Sequence, residues 1–362
     1  MTARLVRQLA APVYRRMVGP LTDLQLRRAT AGRSDYEALS LRLGPVRQGA
    51  RRYRLTGLAE RCDWILLTDW RPPFRHWVRR TRRPSTIFVS TRHIFEAIGE
   101  MDRVLREGML EEPFVLISAS EDATLPVQVD ARERCFTDAE AAAIERIATH
   151  PLLKAWYVEN LAETLFPSMH PIPCGVLAPQ RHDRPPVAPL LTERPLKVLC
   201  AHRVREGEQW ATRRTVSELA GTAWSGFCHV PPNEIDQDDF FKSIERYSFV
   251  ICAEGGGLEP SPKAWHALLH GAIPIIRRSA VTPGYADLPV VVVNDWNYGT
   301  IDPAKMTAWR TEMASHFDSP EGRRQLLRKL SADFWWERIV SHLAPAQDLQ
   351  DAPLAPPSNV CQ

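Results

Sequence analysis

The chain has 362 residues, 44% of them apolar and 25% charged, which is enough to bury a substantial core and long enough for two domains of ordinary size. Its seven cysteines, at 62, 135, 174, 200, 228, 252 and 361, form no C-x-x-C pair; this sets aside a zinc ribbon or a disulfide framework and fits a reducing cytoplasm. No apolar run approaches the roughly 20 residues of a membrane span, and the amino terminus lacks the apolar core of a secretion signal, so a cytoplasmic or peripheral protein is expected.

The net charge of +3 conceals an asymmetry, because residues 1–110 carry 22 Arg, no Lys and 10 Asp or Glu, a net of +12, and the remainder is about −9. Residues 1–19 (MTARLVRQLAAPVYRRMVG) hold no acid, and Leu5, Leu9, Val13 and Met17 recur every four residues beside Arg4, Arg7, Arg15 and Arg16. That stripe predicts a helix kinked at Pro12, either packed on the domain or lying on an anionic membrane surface. An Arg-rich transit peptide matches less well, since the bias runs well past residue 30. Residues 1–55 are read as a basic amino-terminal region. A second run, HWVRRTRRP at 76–84, has no nucleic-acid motif around it and no interleaved aromatics beyond Trp77, so no nucleic-acid partner is expected.

From residue 56 the elements alternate. Residues 64–68 (WILLT), 86–89 (TIFV), 114–118 (FVLIS) and 155–158 read as short buried strands with helical stretches between them. Thr137 and Glu140 form a T-x-x-E capping box that opens a helix running to about residue 150. Residues 177–195 (LAPQRHDRPPVAPLLTERP) hold five prolines and little periodicity, the composition of a linker, placed at 181–195 between a first domain at 56–180 and a second at 196–344. In the second domain, strands are expected at 196–201, 249–253, 273–276 and 290–293, and helices at 210–220 and 238–247. The Pro-, Ala- and Gln-rich tail, 345–362, is expected to be disordered. The fold class that follows is α/β, two parallel-sheet halves whose ligands bind beyond the carboxyl ends of the strands.

One such end is the stretch CAEGGGLEPSPKAWHALLHGAIPII, residues 252–276. Gly255, Gly256 and Gly257 allow backbone conformations and close approaches closed to other residues. Ser261 suits the N-cap of the following helix, Pro262 its first position and Gly271 its end. A helix that begins beside a glycine loop offers free amides and a positive dipole end to an anion, a phosphate being the natural guest. Trp265, Leu268 and Leu269 fall at helical spacing toward the sheet, while Lys263, His266 and His270 share another face. Lys263, one of six lysines in the chain, lies where it could reach the same phosphate.

The run YSFVICAEGGGLEPSPKAWHALLHGAIPIIRRSAVTPGYADLPVVVVNDW (247–296) resembles the carboxyl-terminal domain of exostosin-like glycosyltransferases, glycosyltransferase family 47 and its bacterial relatives. PFVLISASED (113–122) and LLKAWYVENLAETLFPSMHPIPCGV (152–176) resemble that family's Ser-Asp strand end and its W-F-x-x-N … H-P … I-P-x-G segment. The resemblance implies a GT-B architecture, two Rossmann-like domains facing across a cleft, with a nucleotide-sugar donor held by the second domain and an acceptor by the first. It implies transfer of the sugar from a nucleoside diphosphate to a hydroxyl of a glycan or lipid-linked acceptor, with no cofactor and no metal. For the departing diphosphate the candidates are Lys263, Ser261 with the helix amides, and Arg203 or Arg213 in AHRVREGEQWATRR. Glu254 is the candidate for the donor sugar's hydroxyls. For the base, Asp122, Asp69 and His93 each follow a strand of the first half, Asp122 matching the family's Ser-Asp pair. The sequence departs from the family where His266 stands in place of the usual Glu and Lys263 in place of the usual Arg, and its loop is one residue longer. A neutral His accepts only one hydrogen bond, so the contacts to ribose must differ and a relative that binds without catalysis is the alternative.

Overall fold

The computed structural model describes residues 36–45, 53–70, 73–177, 187–260 and 262–344. The amino-terminal arginine stripe, Ser261 and the tail from 345 lie outside the described residues, as do 181–186 of the expected linker.

The first half opens with a short antiparallel pair, β1 (Gly44–Pro45) and β2 (Tyr53–Arg54), and a single helical turn, α1 (Leu58–Arg61). Then come β3 (Trp64–Trp70), β4 (Pro73–Arg79), β5 (Thr86–Ser90), α2 (Ile94–Arg106), β6 (Phe114–Ala119), α3 (Asp138–Ala148), β7 (Leu153–Val158) and β8 (Met169–Pro171). The sheet runs β4-β3-β5-β6-β7-β8, parallel throughout except for β4, which pairs antiparallel with β3 at one edge. Strand residues alternate between faces. Trp64, Leu66, Ile87, Val89, Leu116 and Trp156 face α2 and α3, whereas Ile65, Leu67, Phe88, Val115, Ile117 and Tyr157 join a core that runs on into the second half. Burial on both faces explains why these strands read as unbroken apolar runs. β4 (PFRHWVR) gave no such signal: an edge strand tolerates a leading proline and charged side chains that a central strand excludes. The capping box of α3 forms as its spacing predicts, the Glu140 amide bonding Thr137 Oγ1 at 3.3 Å while the Thr137 amide donates to Glu140 Oε2 at 2.8 Å.

The second half holds β9 (Val198–Leu199), α4 (Ala211–Gly221), β10 (Cys228–His229), α5 (Gln237–Arg246), β11 (Phe249–Ile251), α6 (Pro262–Leu269), β12 (Ile273–Arg277), β13 (Val291–Val293), α7 (Pro303–Asp318), α8 (Pro320–Lys329) and α9 (Ala332–Val340). Its sheet is fully parallel in the order β10-β9-β11-β12-β13. From β9 the chain moves to β10 on one side, and then returns past β9 to build β11, β12 and β13 on the other. The direction of winding therefore reverses between β9 and β11, and the loops leaving those two strands stand at their carboxyl ends, the topological position at which such sheets bind ligands. Gly271, at φ +76°, ends α6 as expected.

The two halves are laced together. Residues 36–43 run between them, with the Leu39 amide on the Leu330 carbonyl at 2.9 Å and the Leu41 amide on the Cys174 carbonyl at 3.1 Å. Past α9, His342 returns to the first sheet, its Nε2 lying 3.1 Å from the Tyr157 hydroxyl. The described part of the proline-rich stretch, 187–195, is docked on the second half: the buried Arg194 donates to the carbonyls of Pro189, Ile244, Tyr247 and His270. Among the described residues no helix is long and apolar enough to cross a membrane.

Candidate functional site

The reversal between β9 and β11 brings together two loops, 201–210 and 252–260, and the carboxyl-end loops of the first sheet close over them. The three glycines are explained by what touches them. A Cβ at Gly255 would lie 2.5 Å from the Arg213 guanidinium and 3.4 Å from the Trp210 ring. At Gly256 it would overlap Arg132 and Asp122, and at Gly257 it would overlap the Asn160 carboxamide and approach the Asp122 carbonyl to 2.9 Å. Asp122, Arg132 and Asn160 all belong to the first half, so the absence of side chains at 256 and 257 lets the halves meet backbone to side chain. Asn160 Oδ1 accepts the amides of Leu258 at 2.9 Å and Glu259 at 3.0 Å, and its Nδ2 donates to the Glu121 carbonyl at 3.0 Å. Gln209 bridges as well, donating to the Gly256 carbonyl at 2.5 Å and accepting the Ala131 amide at 2.8 Å. The amides of Leu258 and Glu259, between the glycines and the helix, are thus satisfied by Asn160, whereas those of Gly255, Gly256 and Gly257 receive no protein partner among the described residues.

Around this loop the cations gather. Trp210 is buried, and the guanidinium groups of Arg205 and Arg213 each lie 5.0 Å from its ring, with that of Arg132 at 5.5 Å. Arg213 donates to the Glu254 carbonyl at 3.1 Å; burial and the neighbouring Arg205 push its guanidinium below its ordinary value, against the pull of Asp122. Lys263 sits in the first turn of α6 and is half-buried. Burial and Arg213 push its ammonium down to about 8, with Arg203 acting the same way and only the thiols of Cys252 and Cys200 opposing. Lys263 has no carboxylate partner among the described residues. Cations held against one another in this way are stabilised by an anionic ligand.

Other expected residues fall as follows. The carboxylate of Glu254 is paired with Arg277. Arg203, well exposed, pairs with Glu234 at 3.0 Å. His266 is buried with its ring 4.8 Å from that of Phe241, and His270 stacks on the same Phe241 at 4.6 Å while bonding Glu245 at 2.9 Å. Lys263 parts company with these two histidines because side chains lean toward a helix's amino end, and a long one in the first turn reaches past it into the loop.

The three candidate bases stand at the carboxyl edge of the first sheet. Asp122 bonds Arg132 at 2.7 Å and adjoins Gly256, so it alone of the three touches the second half's loop. Asp69 is buried and bonds Arg92 at 2.9 Å; Arg92 also reaches Glu121 at 3.2 Å. His93 caps α2, its Nδ1 accepting the Glu96 amide at 3.3 Å, and burial lowers its pKa. With the lone pair on Nδ1 engaged, the neutral ring carries its proton on Nε2 and is poised to donate there rather than to accept. Asn160, Gln209, Arg132, Arg205 and Trp210 were not singled out by the sequence. Asn160 occupies the Asn position of the 152–176 segment, and Arg205, Gln209 and Trp210 fall inside AHRVREGEQWATRR, but Arg132 sits in a loop with no periodicity to mark it.

No protein-family model and no curated protein matches the chain. Among solved structures it is similar to the glycotransferase of kitacinnamycin, at 13% identity and TM-score 0.33 over 73% of this chain and 77% of that one. It is similar to TarM at 9% identity and TM-score 0.40, covering 72% of this chain and 55% of that one. It is also similar to an α,α-trehalose-6-phosphate synthase from Burkholderia multivorans, at 11% identity and TM-score 0.39 over 75% and 73%. At such values the overlap assigns neither substrate nor residue role to this chain.

Proposed function

We propose that the protein is a glycosyltransferase of GT-B type that moves a sugar from a nucleoside-diphosphate donor to an acceptor hydroxyl of a glycan or lipid-linked saccharide. The observation that carries this function is the group of cations, Lys263, Arg213 and Arg205, gathered where the winding of a parallel sheet reverses. The resemblance of residues 247–296 to exostosin-like transferases supports it.

The diphosphate lies against Lys263 and Arg213, with the Gly255–Gly257 amides beside them, and its charge as leaving group is stabilised by those fixed positive groups. Asp122, at the seam between the halves, is the carboxylate that takes the acceptor proton, and Arg132 orients it. Glu254, paired with Arg277, is the group that meets donor hydroxyls in this reading. The basic amino-terminal third suits a lipid-diphosphate or other anionic acceptor at a membrane surface.

The test is a thermal-shift screen against nucleoside diphosphates and their sugars, repeated on Lys263→Ala. One nucleotide is expected to stabilise the wild type and to lose roughly tenfold or more in affinity in the variant, as removal of a charge-assisted phosphate bond requires. Silence from every nucleotide with both proteins would overturn the function. A second possibility, a relative that binds nucleotide or glycan without turnover, is favoured by the seating of His266 against Phe241 and by the Arg132–Asp122 pair lying on Gly256. Release of nucleoside diphosphate in the presence of donor and acceptor separates the two.

A further inference from the structure

Trp70, the last residue of β3, is 41% exposed, although it stands at the same carboxyl edge as the candidate bases. One face of its ring is backed by the imidazole of His93, parallel within 14° at a centroid distance of 3.6 Å, and its edge meets Phe95 at 6.2 Å. Phe95 in turn meets Phe136 at 5.6 Å and carries the Arg134 guanidinium at 3.6 Å, so the indole is built into a rigid aromatic stack and not left loose on a loop. Its N–H is also available. The indoles of Trp64, Trp77, Trp156, Trp224, Trp265 and Trp335 each donate to a protein oxygen, but that of Trp70 donates to none among the described residues.

The residues that precede Trp70 and His93 in sequence, Asp69 and Arg92, open a series of planar polar groups. Asp69 bonds Arg92 at 2.9 Å and Arg92 bonds Glu121 at 3.2 Å; next to Glu121 in sequence, Asp122 bonds Arg132 at 2.7 Å, and both lie against Gly256. The series leads from the strand end that carries Trp70 toward the loop of the cation cluster. A held aromatic face offers the C–H side of a pyranose ring an apolar surface at little entropic cost, while carboxylate and guanidinium edges at its rim bond vicinal hydroxyls in pairs. A lipid chain would not need that polar rim. We infer that Trp70, backed by His93, is a stacking platform for a hexopyranose ring, with Arg92 and Glu121 meeting the ring's hydroxyls. Calling that ring the acceptor rests on the transferase function; the binding of a sugar at Trp70 does not.

The experiment uses the full chain labelled with 15N at the indole nitrogens. Its 11 tryptophans give one resonance each, and Trp70→Phe identifies that of Trp70. Methyl glucopyranoside, galactopyranoside, mannopyranoside and rhamnopyranoside are titrated to about 100 mM, with and without UDP or TDP, because a lone ring site is expected to bind in the millimolar range. At least one glycoside is expected to move the Trp70 resonance saturably. Trp70→Leu should abolish saturation-transfer contact with that glycoside while Trp70→Phe keeps it, and Arg92→Ala should weaken it roughly tenfold. Should Trp70→Leu fail to fold, His93→Ala, which leaves the indole present but unbacked, is expected to weaken binding severalfold. If no glycoside moves the resonance, or if binding survives Trp70→Leu unchanged, the platform is overturned. A moving Trp70 resonance with every nucleotide silent would leave the platform standing and remove the transferase function; nucleotide binding with an unmoved Trp70 would do the reverse.

Discussion

Asn160 Oδ1 accepts the backbone amides of both Leu258 and Glu259, at 2.9 and 3.0 Å, so a single carboxamide of the first half fixes the glycine loop of the second. Removing it leaves two amides at a buried seam without an acceptor. Asn160→Ala should therefore cost about 2–3 kcal/mol, from two hydrogen bonds of about 1 kcal/mol each and the void of the missing side chain. Urea denaturation measures this, and a loss below about 0.5 kcal/mol would show that the seam is not held there.

The neighbouring glycines should not be equivalent. At Gly256 an added methyl group meets the ends of two side chains, Arg132 and Asp122, which can swing aside; at Gly257 it meets Asn160 and, 2.9 Å away, the Asp122 carbonyl, which cannot. Gly257→Ala is expected to cost about 1–3 kcal/mol and Gly256→Ala distinctly less. Thermal unfolding of the two variants side by side decides it, and equal losses would mean that the backbone at 122 yields as easily as a side chain.

Lys263 sets a pH dependence on anion binding. Its free ammonium titrates at about 8 because burial and Arg213 disfavour the charge. A bound phosphate raises that value, so binding takes up a proton above about pH 8, and affinity falls as pH rises from 8 toward the bound-state value. Calorimetric titration of the nucleotide found in the thermal-shift screen, run in two buffers of different ionisation enthalpy, counts that proton. An uptake that persists unchanged in Lys263→Met would assign it elsewhere.

The contact between His342 and the first sheet sets a second, of stability. Burial lowers the pKa of both His170 and His342, with Arg338 acting the same way on both and His342 also on His170; the two rings stack at 5.3 Å. A folded-state pKa below the unfolded value of about 6.5 favours the neutral form, so the stabilisation is complete above about pH 6.5 and is lost as pH falls through the folded values. Glu159, pushed up to about 7 by burial despite Arg42, slopes the other way between about pH 4.5 and 7, so the informative quantity is the difference between variant and wild type. Substituting His342→Gln should flatten the loss of stability between about pH 7 and 5, as followed by urea midpoints. A wild-type slope retained in the variant would exonerate this histidine.

What the sequence disclosed and what it withheld follow from the range of the contacts involved. The strands at 64–70, 86–90 and 114–119 announce themselves because both their faces are buried, so every residue votes for the same state. The α3 capping box and Gly271 are local devices, legible within four residues. Lys263 emerged from its position at a helix start after a glycine loop. The reversal of winding between β9 and β11 needed the pairing order, which two-residue strands such as Val198–Leu199 do not advertise. Arg132 meets Gly256 across 124 positions of sequence, and no spacing rule anticipates such a pair. The proline-rich stretch has the composition of a tether, and the docking of its end, where the buried Arg194 guanidinium is spent on four carbonyls of the second half, is not legible from that composition.

The lacing of residues 36–43 to Leu330, together with the return of His342 to Tyr157, means that each half owns a strap buckled onto the other. Severing the chain between the exposed residues Leu177 and Val187 would therefore not free two bodies. The cut pieces should co-purify as one particle and part only in denaturant, and expressing them from separate messages should rebuild the whole, whereas trimming the chain back to residue 340 would undo one buckle and loosen the pair.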